Sequence, residues 1–332
     1  MKFLRYFLRR LLTCVAVIFI GITIVFFVTR LSPTDPVVVM LNKLTANSQT
    51  TLDAEVTEAL YQKLSLQFGL TGSLWEQYCS FMKSALTFNF GSSIMYYPTD
   101  VSEIVGRYLP YTLLLMLSTT ILAWIIGNLI GLFTALNRRK LSSKILEDIA
   151  IFIYPIPYMI VAILVQMLFC YKLKWFSLTA KFNTVGSVWD YLSSVLSCSA
   201  LPAGSLLLVN LGWWIISMKA VASNVIDEPF VEYARYRAVP EKKIRYGYVL
   251  RNAIIPQVNG LAIGLGNIFG GSIVTEVVFG YPGVGSLCYS AILQSDYNMI
   301  LGIVSMSIVA ISVCTLVADL IYPLIDPRIR YN

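Results

Sequence analysis

The chain of 332 residues contains no histidine. That removes the commonest general base and the commonest transition-metal ligand together. Charge is scarce as well: Asp, Glu, Lys and Arg make up 13% of the residues, about half the share of an ordinary soluble domain. No GxxxxGK[ST] stretch occurs, so the chain lacks the phosphate-binding loop by which such proteins hydrolyse ATP. The six cysteines include no CxxC pair. Cys14, Cys170 and Cys314 fall inside apolar runs and read as packing residues, whereas Cys79, Cys198 and Cys288 fall outside, an odd number that argues against a disulfide framework. With no nucleophile beside a base, a membrane enzyme is a poor reading, and no cofactor or metal is expected.

What the chain has is apolar length. It is 57% hydrophobic, with a mean hydropathy of +0.71, against roughly 45–50% apolar for a soluble domain. The net charge of +7 is not a nucleic-acid signal, because the basic residues flank apolar runs instead of forming a stripe of their own. Six runs are long enough to approach or exceed the ~20 residues that cross a bilayer: Leu11–Val28, Pro110–Leu136, Ala150–Tyr171, Leu201–Met218, Ile254–Phe279 and Met299–Ile325. Pro155 and Pro157 in the third, and Pro256 in the fifth, are expected to kink helices that neighbours can accommodate. The expected fold is an all-α integral membrane protein of six transmembrane helices.

Lys and Arg orient it. On these boundaries seventeen of the 25 Lys/Arg lie on the side of the N-terminus, which the positive-inside rule makes cytoplasmic for both termini. The first run, behind Lys2, Arg5, Arg9 and Arg10, is long for a signal peptide and is followed by no small-x-small cleavage site, so it reads as a retained span. Residues 1–30 are then tail and first helix, and 31–109 an extracytoplasmic segment. Residues 110–332 form a core of five helices with a polar loop at 219–253. Within the extracytoplasmic segment, SPTDP is a turn cluster, and Thr51–Phe68 and Trp75–Leu86 have helical spacing. These pieces read as packing on the outer face of the membrane part; a small separate domain is the alternative, for which the apolar content is meagre.

The polar loop holds the longest charged stretch on the cytoplasmic side, DEPFVEYARYRAVPEKKIRYGYVLRNAIIP from Asp227 to Pro256. Asp227 can cap a helix start, Glu228 suits the positive end of the dipole, and Pro229 fits a first turn. The helix should pass Glu232 and Arg235 and break before Pro240, with a second helix running past Lys242, Arg245 and Arg251 into the next span. Phe230, Tyr233, Ala234 and Arg237 share one face, and Glu232, Arg235 and Tyr236 another.

This loop resembles the "EAA" coupling loop of bacterial ABC-transporter permeases, in the dipeptide/oligopeptide/nickel branch. The matching residues are Glu232, Ala234, Arg235 and Arg237, then Arg251-Asn252-Ala253-Ile254-Ile255-Pro256. Glu276 to Gly285 around FGYPGVG, Asp319 onward to Asp326-Pro327-Arg328-Ile329-Arg330, and Leu109-Pro110 also match. The chain departs from the family at the turn, where Ala238 stands in place of the usual glycine and Val239-Pro240 follow. Pro240 is expected to enforce the break. The resemblance implies a permease subunit in the bacterial cytoplasmic membrane, without an ATPase site of its own. It would pair with a second homologous permease, two cytoplasmic ATP-binding subunits and an extracytoplasmic solute-binding protein. Glu232, Ala234, Arg235, Arg237 and Ala238 would then couple to the ATPase, with Glu232 meeting a basic group there. Peptides are the implied substrate class, and nickel or another small solute the rival.

Small and polar residues inside the spans are the remaining signals. Gly260, Gly264, Asn267, Gly271 and Thr275 fall on one helical face of the fifth run. Close packing of small residues is one reading, and the lining of a substrate path is the other. Glu276 and Asp319 are the carboxylates near membrane depth, where an ionisable group is a functional candidate by default. Glu276 would shape an external gate or meet a docked partner, and Asp319 would pair with Arg328 or Arg330. A secondary transporter would need more intramembrane ion sites than these. A purely structural subunit would leave the charged loop without a purpose.

Overall fold

The computed structural model describes residues 2–48, 54–182, 186–266 and 268–325, and every regular element among them is a helix. In chain order these are α1 (Lys2–Arg30), α2 (Pro36–Ser48), α3 (Ala54–Gln67), α4 (Leu74–Leu86), α5 (Val101–Leu136), α6 (Leu141–Ile153) and α7 (Tyr158–Gln166). There follow α8 (Val188–Ile226), α9 (Pro229–Tyr236), α10 (Glu241–Lys243), α11 (Arg251–Gly266), α12 (Ile268–Val278), α13 (Val284–Leu293) and α14 (Tyr297–Ile325). Two π-helical segments, Met167–Lys172 and Ile244–Leu250, prolong α7 and α10.

Among the described residues, four helices are long and apolar enough to cross a membrane: within α1, α5, α8 and α14. A fifth crossing is counted if α6 and α7 with its π extension make one span. That span differs from the kinked helix expected of the third apolar run, because its two halves meet at 99°. The break falls at Tyr154–Pro157, where two prolines a residue apart remove two backbone donors; Tyr154 keeps helical dihedrals, and the chain leaves them at Pro157, with ψ of 129°. The fourth apolar run underestimates its helix. Ser187 and Asp190 form a reciprocal capping box, so α8 starts well before Leu201 and runs on to Ile226.

The chain divides into two compact units. One gathers residues 7–112 and 282–313. Its core joins Ile22 and Phe26 of α1, Tyr78 and Phe81 of α4, Val101 and Val105 of α5, and Leu287 of α13. Phe26 stacks on Phe81 with ring centroids 5.3 Å apart. The helix α4 therefore buries its apolar face on α1 and α13, so it is part of this unit's core and not of a small domain standing alone. Asp296, fully buried, closes the start of α14: one oxygen accepts the Met299 amide at 3.1 Å, and the other takes the Ser93 hydroxyl and the Met95 amide at 2.9 Å.

The other unit gathers residues 113–281 with short pieces from both chain ends, and it holds the features of functional interest. Its centre is the crossing of α5 and α8. Gly127 and Gly131 face Trp214, Ile215 and Met218 so closely that a Cβ at Gly131 would lie 2.6 Å from the Ile215 carbonyl oxygen. A small-xxx-small pair lets the two backbones approach. The Gln257 amide of α11 bonds Ser217 of α8 at 3.1 Å, while the Trp124 indole of α5 donates to the Gln257 carbonyl at 2.9 Å. Lys219 of α8 pairs with Glu147 of α6, both side chains about a quarter exposed.

Candidate functional site

The helix α9 runs through Glu232 and Arg235 and ends before Pro240. Its start differs from the expected one. Glu228 occupies the N-cap position, Pro229 opens the first turn, and Asp227 instead terminates α8, where its carboxylate receives Arg138 at 3.4 Å. The guanidinium of Arg138 also donates to the Ser223 carbonyl at 2.9 Å, which suits a cation at a helix C-terminus.

The buried side of α9 consists of Val231 and Ala234, packed with Leu132, Met218, Ala222, Ile244, Val249 and Ala253. Burying Val231 alone is worth about 1.5–3 kcal/mol. Ala234 thus faces the chain's own core, and the small residue serves that packing. Phe230, Tyr233 and Arg237, expected on the same face as Ala234, are all exposed, as are Glu232, Arg235 and Tyr236. Glu232 and Arg235 do not pair. The Glu232 carboxylate accepts the Tyr236 hydroxyl at 2.8 Å, which holds that phenol above its ordinary pKa. Arg235 turns to Glu241 at 3.7 Å, and Arg245 reaches the same carboxylate at 3.8 Å. Glu241 is therefore a bridge across the Pro240 break.

The helix ends in a Schellman motif. The Val239 amide bonds the Ala234 carbonyl at 3.1 Å, and the Ala238 amide bonds the Arg235 carbonyl at 2.9 Å. Ala238 itself adopts the left-handed conformation, with φ of +55°. The geometry that glycine normally supplies is kept with an alanine, and Val239 seals it by packing on the same core as Ala234. Pro240 caps α10, and the break is the work of both residues.

The same unit holds a cavity of about 500 Å³. Gly260 and Gly264 of α11 line it with Met116 and Thr120 of α5, Tyr158 of α7, and Asn210, Trp213 and Trp214 of α8. Ile263 lines it too, although helical spacing puts it off the glycine face. A Cβ at Gly260 would come within 3.2 Å of the Trp214 ring, whereas one at Gly264 would meet only Thr120, at 3.9 Å. Gly260 is thus a packing position at the cavity edge and Gly264 an open one. Asn267 lies outside the described residues. Gly271 lies in α12, and Thr275 is buried but not among the cavity-lining residues.

Glu276 has no exposed surface. It sits in the last turn of α12, where its carbonyl accepts the Tyr281 amide at 2.8 Å in a second Schellman turn, with Gly280 at φ +55°. Here glycine is required, since a Cβ would fall 2.9 Å from Thr179. Contact between Glu276 and a docked protein would need this turn to open. The Asp319 carbonyl accepts the Tyr6 hydroxyl at 3.1 Å, and the arginines proposed to pair with its carboxylate lie outside the described residues.

Residues 127–331 match the family of binding-protein-dependent transport system inner membrane components. The chain belongs to this family. Among similar proteins, the permease is 29% identical to the oligopeptide transport system permease protein AppB of Bacillus subtilis, over 98% of this chain and 99% of that one. It is also 29% identical to the glutathione transport system permease protein GsiC of Escherichia coli K12, over 99% and 100%. A putative peptide permease of Brucella ovis matches at 29% over 98% and 99%. The family match covers α9 and most of the cavity wall, including α8 and α11.

The residues that the sequence pattern did not single out are Trp124, Gln257, Tyr158, Asn210, Trp213 and Trp214. Their signal was present: Gln257 and Asn210 are amides inside apolar runs, and Gly127 and Gly131 stand four apart in the second run.

Proposed function

We propose that this permease forms half of the translocation pathway of an ATP-driven importer of peptides, with a second homologous permease supplying the other half. The observation that carries the reading is full-length similarity to an oligopeptide permease and a glutathione permease, together with a family defined by dependence on a binding protein. Glutathione is itself a tripeptide, so both names describe the same chemical class. An extracytoplasmic solute-binding protein delivers the substrate, and two cytoplasmic ATP-binding subunits drive the cycle.

The chain crosses the cytoplasmic membrane of a bacterium six times, with α11 and α12 together supplying the fifth crossing in chain order and both termini inside. The Lys/Arg asymmetry supports this orientation. The cavity beside Gly260 and Gly264 is this subunit's wall of the path; its side chains are apolar with a few uncharged polar groups, Thr120, Tyr158 and Asn210, suited to a peptide backbone and uncharged side chains. The sequence face that carries Gly260 and Gly264 also carries Asn267, Gly271 and Thr275, which on this reading extend the wall, and the Glu276 turn acts as an outer gate.

The helix α9 couples the path to the ATPase. Glu232, Arg235 and Arg237 form its outward face, Ala234 fixes it to the core formed by α5 and α8, and Ala238 ends it. A movement of α9 shifts the helices it rests on, which is how a two-state membrane domain is biased from one end.

The test is reconstitution of both permeases and both ATPases in proteoliposomes with the binding protein outside. Peptide should stimulate ATP hydrolysis and accumulate, and nickel should do neither. Ala234→Leu overpacks a buried site at a cost of about 1–3 kcal/mol, and should abolish stimulation while the complex stays assembled. Stimulation by nickel and not by peptide would refute the substrate class.

A further inference from the structure

Both tyrosines on the outward face of α9 are held by a partner one turn away. Tyr236 donates to Glu232 at 2.8 Å, and the Arg237 guanidinium lies over the Tyr233 ring at 5.9 Å from its centroid. The two pairs run side by side along the helix, both with i,i+4 spacing. Yet the rings themselves are bare: Tyr233 is 63% exposed and Tyr236 79% exposed. Phe230, one turn before Tyr233 on the same helix, is exposed as well. Large aromatic side chains already held in place are the usual anchors of protein interfaces, because they bury much area for little further loss of freedom.

Charge around the rings is mixed but mainly basic, since the exposed Glu228, Glu232 and Glu241 are outnumbered by five cations. Arg235, Arg237, Lys242, Lys243 and Arg245 are all exposed. Of the nearby acids, Glu232 is engaged by Tyr236, and Glu241 by Arg235 and Arg245. A basic rim around aromatic knobs is complementary to a cleft with an apolar floor and acidic edges.

We infer that Tyr233 and Tyr236, and not the Glu232 charge, anchor α9 in an acid-rimmed apolar cleft of the ATPase subunit. Glu232 is a positioning residue that aims the Tyr236 ring. This rests on the coupling role of α9 given above. It differs from the expected pairing of Glu232 with a basic group on the partner, since one oxygen of the carboxylate is committed to the phenol and only the other is left to meet a cation.

The experiment measures attachment of the ATPase subunits to the two-permease complex in nanodiscs, at low and high salt. Tyr233→Ala and Tyr236→Ala should each weaken attachment about thirtyfold or more, the size of an interface hot spot. Glu232→Ala should weaken it by less, and Glu232→Gln, whose amide oxygen still accepts the phenol hydrogen, should recover most of the loss. Attachment should fall with salt through the basic rim. If Glu232→Gln costs as much as the tyrosine truncations, or the truncations cost nothing while Glu232→Ala is severe, the charge is the anchor and the inference fails with the coupling role intact. If all these variants and Ala234→Leu leave attachment and stimulated hydrolysis unchanged, the coupling role itself fails. Should the tyrosine variants change binding to vesicles rich in anionic lipid, but not to the ATPase, the rings belong to the membrane surface and the inference is wrong.

Discussion

Ala238→Gly should stabilise the turn that ends α9. The left-handed conformation costs a residue with a Cβ about 1–2 kcal/mol, and Ala238 adopts it with φ of +55°. Glycine would remove that strain but gain freedom in the open state, which returns roughly 0.4–1 kcal/mol. The net gain is about 0.5–1 kcal/mol, or roughly a two- to fivefold lower probability of opening. The two amide bonds that close the turn, from Ala238 and Val239, report on it directly. Hydrogen exchange followed by mass spectrometry on the reconstituted complex should show slower exchange over residues 234–240 by that factor, with no change in α5. Ala238→Val sets a β-branched side chain in the same conformation, costs at least about a further 1 kcal/mol, and should speed exchange. Faster exchange in the glycine variant, with none of the expected penalty for valine, would refute the argument that residue 238 is strained.

Two other predictions concern the cavity and the orientation of the chain. Gly264→Leu should leave the permease pair assembled and block peptide uptake, because a Cβ there finds open space, whereas Gly260→Leu meets the Trp214 ring and should lose the pair as well. Co-purification beside uptake separates them, and identical behaviour at both positions would count against the cavity as a path. Single cysteines at Glu58 and Lys181, on a background without the native cysteines, should react with an impermeant thiol reagent in intact cells. Protection at position 58 would overturn the orientation.

How far the sequence carried depends on whether a feature is local. Composition alone decided the class, since 57% hydrophobic residues and 13% charged cannot make a soluble surface for 332 residues. The short helix at Pro229–Tyr236, with its stop before Pro240, was legible because caps, prolines and turn residues act over a few positions. So were α3 and α4, from their apolar spacing. What hid was everything decided by a neighbour distant in sequence. Helical spacing grouped Ala234 with Phe230 and Tyr233, but only the core of α5 and α8 determined that Val231 and Ala234 go inward and the rings outward. Glu232 has Arg235 and Tyr236 within reach on the same helix; Arg235 went to Glu241 because the turn at Ala238 brings that carboxylate back beside it. The 99° bend between α6 and α7 exceeds anything two prolines require by themselves. Likewise the glycine face of the fifth run reads as uniform, yet Trp214 from another helix makes Gly260 a tight contact and leaves Gly264 open. Periodicity tells which residues share a side of a helix; packing against distant segments decides what that side meets.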